Sequence, residues 1–283
     1  MNNLLLKQQL ADFFQEDLGY GDKTSDAIFE NEEAEAVYMT KQAGVFCGEK
    51  VILAAYELFS KNIRVTLFKR DGEQIEVGEV IAKVTGPVID LLSSERVILN
   101  LIQRLSAIAT KTNEAVREVE GTGVQICDTR KTTPGLRMLE KYAVQCGGGK
   151  NHRYGLDDAI LIKDNHIAQV GSVSKAVEKV RGVIGHMTKI EVEIETFEQL
   201  KEAIAANPDV IMLDNCSSDQ AKVWCREIPA HITVEISGGL TLKQLRDYAD
   251  TGVHVISMGA LTHSAQSLDI SLDILVKEGV SHV

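Results

Sequence analysis

"KIEVEIETFEQLKEAIAANPDVIMLDN" (Lys189–Asn215) holds one complete structural period of the second half of the chain. A short apolar run, "IEVEI", gives way to a helical stretch and then to a second apolar run, "VIMLD". The same rhythm extends in both directions, through "VQIC", "AILIK", "ITVEIS" and "HVISMG". Each run is followed by a loop or helix, which predicts parallel strands joined by right-handed crossovers. About six such units suit a small barrel or an open sheet, and periodicity does not choose between them. No GxGxxG follows the first of these strands, which weighs against a dinucleotide fold.

The first hundred residues read differently. "EAVYMTKQAGVFCGE" and "IRVTLFKRDGEQIEVGEVIAKVTGPV" are strand-like, and Asp71-Gly72 between alternating segments predicts a hairpin turn. These residues predict an α+β domain with a mainly antiparallel sheet. A long amphipathic helix follows from Ser93 or Ser94, either of which can cap it, with Val97, Ile98, Leu101, Leu105 and Ile108 at helical spacing. Arg104 lies at the edge of that apolar stripe. The expected division is an N-terminal α/β sandwich over 1–108 and an α/β barrel over 109–275, with the tail 276–283 packing on the first domain.

Composition narrows the function classes. The 283 residues carry a net charge of −11, 44% apolar and 25% charged side chains. The acidic balance argues against nucleic-acid binding. No apolar run approaches the roughly 18 residues of a membrane span. The N-terminus lacks signal-peptide character, so a cytoplasmic location is expected. The cysteines Cys47, Cys127, Cys146, Cys216 and Cys225 are scattered without a CxxC pair, which predicts free thiols rather than a zinc or disulfide framework.

Against that acidity, Arg130–Arg153 gathers Arg130, Lys131, Arg137, Lys141, Lys150 and Arg153 against Glu140 alone, a local charge of +5. In parallel βα folds, chemistry collects where strands end. The exits here offer Asp128, Arg130 and Lys131, then Lys163, then Asp214, then Glu235, Ser237 and Gly238, then Ser257, Gly259 and His263. Glu191, Glu193 and Glu195 share one strand face by the period of two. Pointed into a barrel, they need cations such as Lys163, Arg130 or Lys131, or a metal. Glu193 with Asp214 offers hard oxygen ligands for Mg²⁺. The turns "SGG" and "MGAL" lead into helices and can cradle phosphate through backbone N–H groups. The sum fits a substrate with carboxylates and a sugar diphosphate.

"DTRKTTPGLRMLEKYAVQCGGGKNHRYGL", "ILIKDNHI", "EVEIETFEQL", "VIMLDN", "EISGGL" and "VISMGALTHS" resemble the quinolinate phosphoribosyltransferases, over nearly the whole chain from about Asp17. The resemblance implies an N-terminal sandwich, a C-terminal barrel of about six parallel strands, and a homodimer, in some cases a larger assembly, with a shared active site. It implies transfer of phosphoribosyl from 5-phosphoribosyl 1-diphosphate to quinolinate, with decarboxylation, in NAD biosynthesis, assisted by Mg²⁺. It assigns quinolinate to Arg104 (reaching across the dimer), Arg130, His152, Arg153 and Lys163. It places the phosphoribosyl group at Lys131, Glu193, Asp214, Ser237, Gly238, Gly259 and His263. Lys131, Lys163, Glu193 and Asp214 are the expected catalytic set, with Mg²⁺ held by Glu193 and Asp214 directly or through other groups. A molybdenum-transport-associated paralogue shares "DTRKTTPGLR", but "IKDNH" favours the biosynthetic enzyme. A class I aldolase using Lys163 as Schiff base, and a non-catalytic anion-binding barrel, are the alternatives.

Overall fold

A computed structural model describes residues 1–275. The chain forms two compact units, Met1–Thr110 joined by the chain from Ala265 onward, and Lys111–Ser264. The first carries α1 (Asn3–Leu18), α2 (Ser25–Ile28), β1 (Glu33–Thr40), β2 (Gly44–Val45), α3 (Glu49–Phe59), β3 (Arg64–Leu67), β4 (Gln74–Ile75) and β5 (Val80–Pro87). Helix α4 (Val88–Glu118) starts in it and ends in the second unit.

In the second unit β6 (Gln125–Cys127), α5 (Arg137–Cys146), β7 (Ile160–Ile162), α6 (Asp164–Val170), α7 (Val173–Arg181) and β8 (Ile190–Ile194) come first. Then follow α8 (Phe197–Ala206), β9 (Val210–Asp214), α9 (Ser218–Trp224), β10 (Thr233–Ser237), α10 (Leu245–Ala249), β11 (Val255–Ser257) and α11 (Ala260–His263). The chain then returns to the first unit as β12 (Ile270–Leu275).

The antiparallel sheet of the first unit runs β12-β1-β5-β3. Strand β12 pairs with β1 from Glu35↔Leu275 to Thr40↔Ile270. That pairing places 265–275 with the first unit, whereas the sequence division put them in the barrel. The tail 276–283 lies outside the described residues.

Two local expectations fail. Helix α4 begins at Val88, so Ser93 and Ser94 are inside it: Ser94 Oγ donates to Asp90 O at 2.7 Å and Ser93 Oγ to Asp22 Oδ2 at 3.0 Å. The turn at Asp71-Gly72 forms, but its flanks pair elsewhere, β3 with β5 and β4 with β2. Asp71 instead accepts from the N–H groups of Gly48 and Glu49, capping α3.

The six strands of the second unit are parallel, in the order β6-β11-β10-β9-β8-β7. Every residue of β8 is buried. Ile190, Val192 and Ile194 supply apolar burial worth about 1.5–3 kcal/mol each. Glu191 and Glu193 take the other face. Glu195 lies beyond the strand end and is exposed, so the expected carboxylate trio is a pair.

No ladder joins β6 to β7 among the described residues, so the barrel has a seam. A loop runs along β6 there. Lys150 N donates to Ile126 O at 2.8 Å, and Asp128 N donates to Lys150 O at 3.1 Å. Arg153 Nη1 then donates to Ala159 O at 2.9 Å, just before β7. Gly149 makes this close approach feasible. A Cβ on it would lie 2.7 Å from Thr112 Cγ2 and 2.8 Å from Val144 Cγ1. Gly149→Ala is therefore expected to cost about 1–3 kcal/mol from overpacking, read as a lower denaturant midpoint with unchanged slope.

Candidate active site

The strand exits surround a cavity of about 330 Å³. Arg130, Lys131, His152, Arg153 and Lys163 line it, with Glu193, Asp214, Ser237 and Ser257 from the later strands. Thr129, Leu161 and Met212 complete the wall.

The basic stretch splits between scaffold and site. Lys141 is fully buried and donates to Asp128 Oδ1 at 2.5 Å and to His152 O at 2.9 Å. Asp128 also accepts from the His152 N–H at 2.9 Å and from Asn151 Nδ2 at 2.5 Å. Burial pushes the Asp128 carboxyl up, and these donors pull it back down. Arg137 bonds Thr132 Oγ1 and Tyr154 O, so it braces two loops. Lys150 is exposed and adjoins a different hollow, with Arg117 and Gln125. Of the six cations, only Arg130, Lys131 and Arg153 reach the cavity.

Their surroundings favour an anionic guest. Arg130 Nε is buried and meets no acceptor among the described residues. Burial and the neighbouring Arg130 charge push the Arg153 guanidinium down. Two guanidinium groups near each other are best relieved by a shared carboxylate or phosphate. Lys131 is held through its backbone, whose oxygen accepts from Thr262 Oγ1 at 2.8 Å. Lys163 Nζ pairs with Glu193 Oε2 at 2.7 Å, and its backbone N–H donates to His166 Nδ1 at 2.9 Å.

The carboxylates divide as well. His152 Nε2 lies 2.9 Å from Glu191 Oε2 and 3.5 Å from Glu235 Oε1. Glu191 therefore meets histidine rather than the lysines and arginines proposed for it. Asp214 is half-buried and accepts from Asn215 Nδ2 at 2.7 Å; burial and the Glu195 charge push its carboxyl up. Glu193 and Asp214 are an oxygen-only donor set, which suits Mg²⁺. With Glu193 already paired to Lys163, they fit an ion that takes further ligands from a bound diphosphate.

The loops after β10 and β11 are built for close approach. Gly238 has φ +115°, and a Cβ there would sit 2.5 Å from Asn215 Oδ1 and 2.6 Å from its backbone nitrogen. A Cβ on Gly259 would lie 2.7 Å from Lys131 Cδ and 3.2 Å from His263 Cδ2. Gly259 and His263 thus stand beside Lys131, and Gly238 beside the Asp214–Asn215 corner. Arg104 is the one expected site residue from the first unit, half-buried on α4. The residues that went unassigned are Asp128, Lys141 and Asn151, which fix the loop, and Glu235, which faces His152. Glu235 precedes Ser237 by two, the period that marks the inner face.

Cations converging on a cavity at the carboxyl ends of a parallel βα barrel define an enzyme of the α/β-barrel class that takes a polyanionic substrate. Residues 108–273 match the family model of the quinolinate phosphoribosyl transferase C-terminal domain, and residues 22–106 that of its N-terminal domain. The chain belongs to the quinolinate phosphoribosyltransferase family.

A Bacillus subtilis protein described as a probable nicotinate-nucleotide pyrophosphorylase [carboxylating] is 56% identical over 274 residues, 97% of this chain and 95% of its own length. The Mycobacterium leprae nicotinate-nucleotide pyrophosphorylase [carboxylating] is 44% identical over 83% of this chain and 84% of its own. Among solved structures, NadC from Streptococcus pyogenes superposes with a TM-score of 0.93 at 37% identity, covering 98% of this chain and 99% of that one. The Francisella tularensis nicotinate-nucleotide pyrophosphorylase gives 0.91 at 35% identity, covering 97% and 98%.

Removing Lys141 leaves a buried carboxylate without its countercharge. Lys141→Met is expected to lower stability by about 3–5 kcal/mol, measured by chemical denaturation. Because the lysine also holds His152 O, the substitution is expected to loosen the cavity wall, seen as faster amide exchange at His152.

Proposed function

We propose that this chain catalyses transfer of the phosphoribosyl group of 5-phosphoribosyl 1-diphosphate to quinolinate, yielding nicotinate mononucleotide, diphosphate and CO₂. The observation that carries the reading is the convergence of Arg130, Lys131, Arg153 and Lys163 on one cavity beside Glu193 and Asp214. Membership of the family in both halves of the chain supports it over the aldolase and anion-carrier alternatives. The ion pair of Lys163 with Glu193 also leaves that lysine poorly placed as a free-amine nucleophile.

In this reading, Arg130 and Arg153 fork the quinolinate carboxylates and orient the ring. The pyridine nitrogen attacks C1 of the ribose as the C–O bond to diphosphate breaks, through an oxocarbenium-like state. Glu193 and Asp214 hold the ribose hydroxyls, and Lys131 and Lys163 balance charge on the departing diphosphate. Positioning and electrostatics supply the acceleration. The ring nitrogen is then cationic. The carboxylate next to it leaves as CO₂, and its electron pair stays on the ring carbon, stabilised by that nitrogen, until a proton arrives. Ser237, Gly238, Gly259 and His263 receive the 5-phosphate through loop N–H and side-chain groups. Glu193 and Asp214 would hold Mg²⁺, which when bound would supply further charge neutralisation to the diphosphate.

In the scheme that the resemblance implies, a second subunit presents Arg104, so a homodimer is part of the proposal. No helix among the described residues is long and apolar enough to cross a membrane, and a cytoplasmic setting is part of the proposal.

Purified protein incubated with quinolinate, phosphoribosyl diphosphate and Mg²⁺ is expected to release nicotinate mononucleotide, followed by chromatography; no product over the uncatalysed background ends the reading. Lys163→Ala is expected to lower kcat/KM by roughly 10²–10³-fold with an unchanged circular dichroism spectrum. Mixing Arg104→Ala chains with Lys163→Ala chains is expected to restore part of the activity in heterodimers. Heterodimers that form and stay inactive would place Arg104 outside the partner's site.

A further inference from the structure

His152, which lines the cavity, also joins a cluster whose two carboxylates have no part in the proposed reaction. His152 Nε2 and one carboxylate oxygen each from Glu191 and Glu235 lie within 4.8 Å of one another, all buried or nearly so. Glu191 Oε1, Glu235 Oε1 and the Ser257 hydroxyl have no hydrogen-bond partner among the described residues. Two buried carboxyl groups side by side cannot both stay charged at low cost. Something positive belongs between them, a metal ion or a proton.

The histidine decides between the two. Arg153 N–H donates to His152 Nδ1 at 2.8 Å, so Nδ1 is an acceptor and carries no proton. The imidazole proton therefore sits on Nε2, where Glu191 Oε2 accepts it at 2.9 Å. A metal on Nε2 needs the opposite tautomer, with the proton on Nδ1. The facing backbone N–H forbids it. Burial resists a charge on His152 and Glu191 favours one, with a net upward push. The Arg153 N–H opposes that push, because a doubly protonated ring would set two donors against each other.

We infer that Glu235 is a positioning residue that keeps a proton under the dicarboxylate site, so that the floor presents one carboxylate charge and His152 stays in its Nε2–H form. The inference rests on the proposed binding of quinolinate in this cavity. Its logic is charge counting. A dianionic guest in the cavity that His152 and Ser257 line would be repelled by a second bare carboxylate behind them. A proton on Glu235 also turns one orphan acceptor into a donor.

The groups facing Glu235 are Glu191 from β8, His152 from the seam loop, Cys127 from β6 and Asp128 just after it, with Lys141 behind Asp128; Ser257 faces it from β11. Burial first, then the Glu191 charge, raise the Glu235 carboxyl to about 7, against the pulls of His152 and of the neighbouring Ser257 hydroxyl.

Binding of the dianion and retention of the proton are then linked reciprocally. Quinolinate affinity, measured by titration calorimetry on the full chain, is expected to fall by roughly 5-fold or more as pH rises through the Glu235 transition. Glu235→Gln, a neutral isostere, is expected to remove that fall, while Glu235→Ala binds more weakly throughout. His152 is common to both proteins, so the difference between the curves isolates Glu235. A Gln variant whose pH curve parallels the wild type overturns the inference.

Melting temperature gives an arm without substrate. A carboxyl whose folded pKa is raised stabilises the protonated fold and loses that contribution as pH rises through about 7. The Gln variant should therefore gain on the wild type above that pH, and superimposed melting curves there overturn the inference. If the wild type binds no quinolinate at any pH, the functional reading fails and the melting comparison alone decides where the proton is.

Discussion

The site hangs on one buried ion pair, Lys141 with Asp128. Both side chains are wholly excluded from solvent, so each is tolerable only because of the other. What the pair secures is placement. Asp128 stands at the exit of β6, Lys141 projects from α5, and between them they hold the backbone of His152 and the side chain of Asn151. The loop that carries His152 and Arg153 is thereby fixed at three points without a strand ladder. An apolar pair of similar volume can stabilise a fold equally well, but it does not aim a loop.

Charge is layered above this anchor. The upper layer is cationic, with Arg130, Lys131, Arg153 and Lys163 around the cavity. The lower layer is carboxylic, with Glu191 and Glu235 around His152. A chain with net charge −11 can attract anions only by such local separation. The cluster of like charges costs folding energy that a bound polyanion offsets, a common property of sites built to hold charge that moves during reaction.

Much of this was legible before any coordinates. The βα rhythm gave the parallel sheet because strands buried on both sides read as apolar runs. The exits named Lys163, Asp214 and Ser237 because strand ends are where a barrel opens. Tertiary choices were hidden. Lys141 looked like Lys131 in sequence, yet one is an anchor on α5 and the other lines the cavity from the loop after β6. Glu195 looked like Glu193, but the strand ends between them. Ser93 and Ser94 are good caps, but helix formation from Val88 overrode them, and Ser94 turned its hydroxyl back to Asp90 O. The partner strand of β12 lies more than 200 residues earlier, beyond any local pattern.

The seam between β6 and β7 has a bearing on how this wall tolerates sequence change. Lys150 bridges β6, its N–H donating to Ile126 O and its carbonyl accepting from the Asp128 N–H, and two residues on His152 is held by Asp128 and Lys141. Replacing the exposed Lys150 side chain leaves its main-chain contacts in place. Losing or gaining a single residue between Lys150 and His152 would break one of these two fixings and draw His152 away from its carboxylates. Natural length variation should therefore be absent from this stretch and plentiful in surface turns such as the one at Gly185.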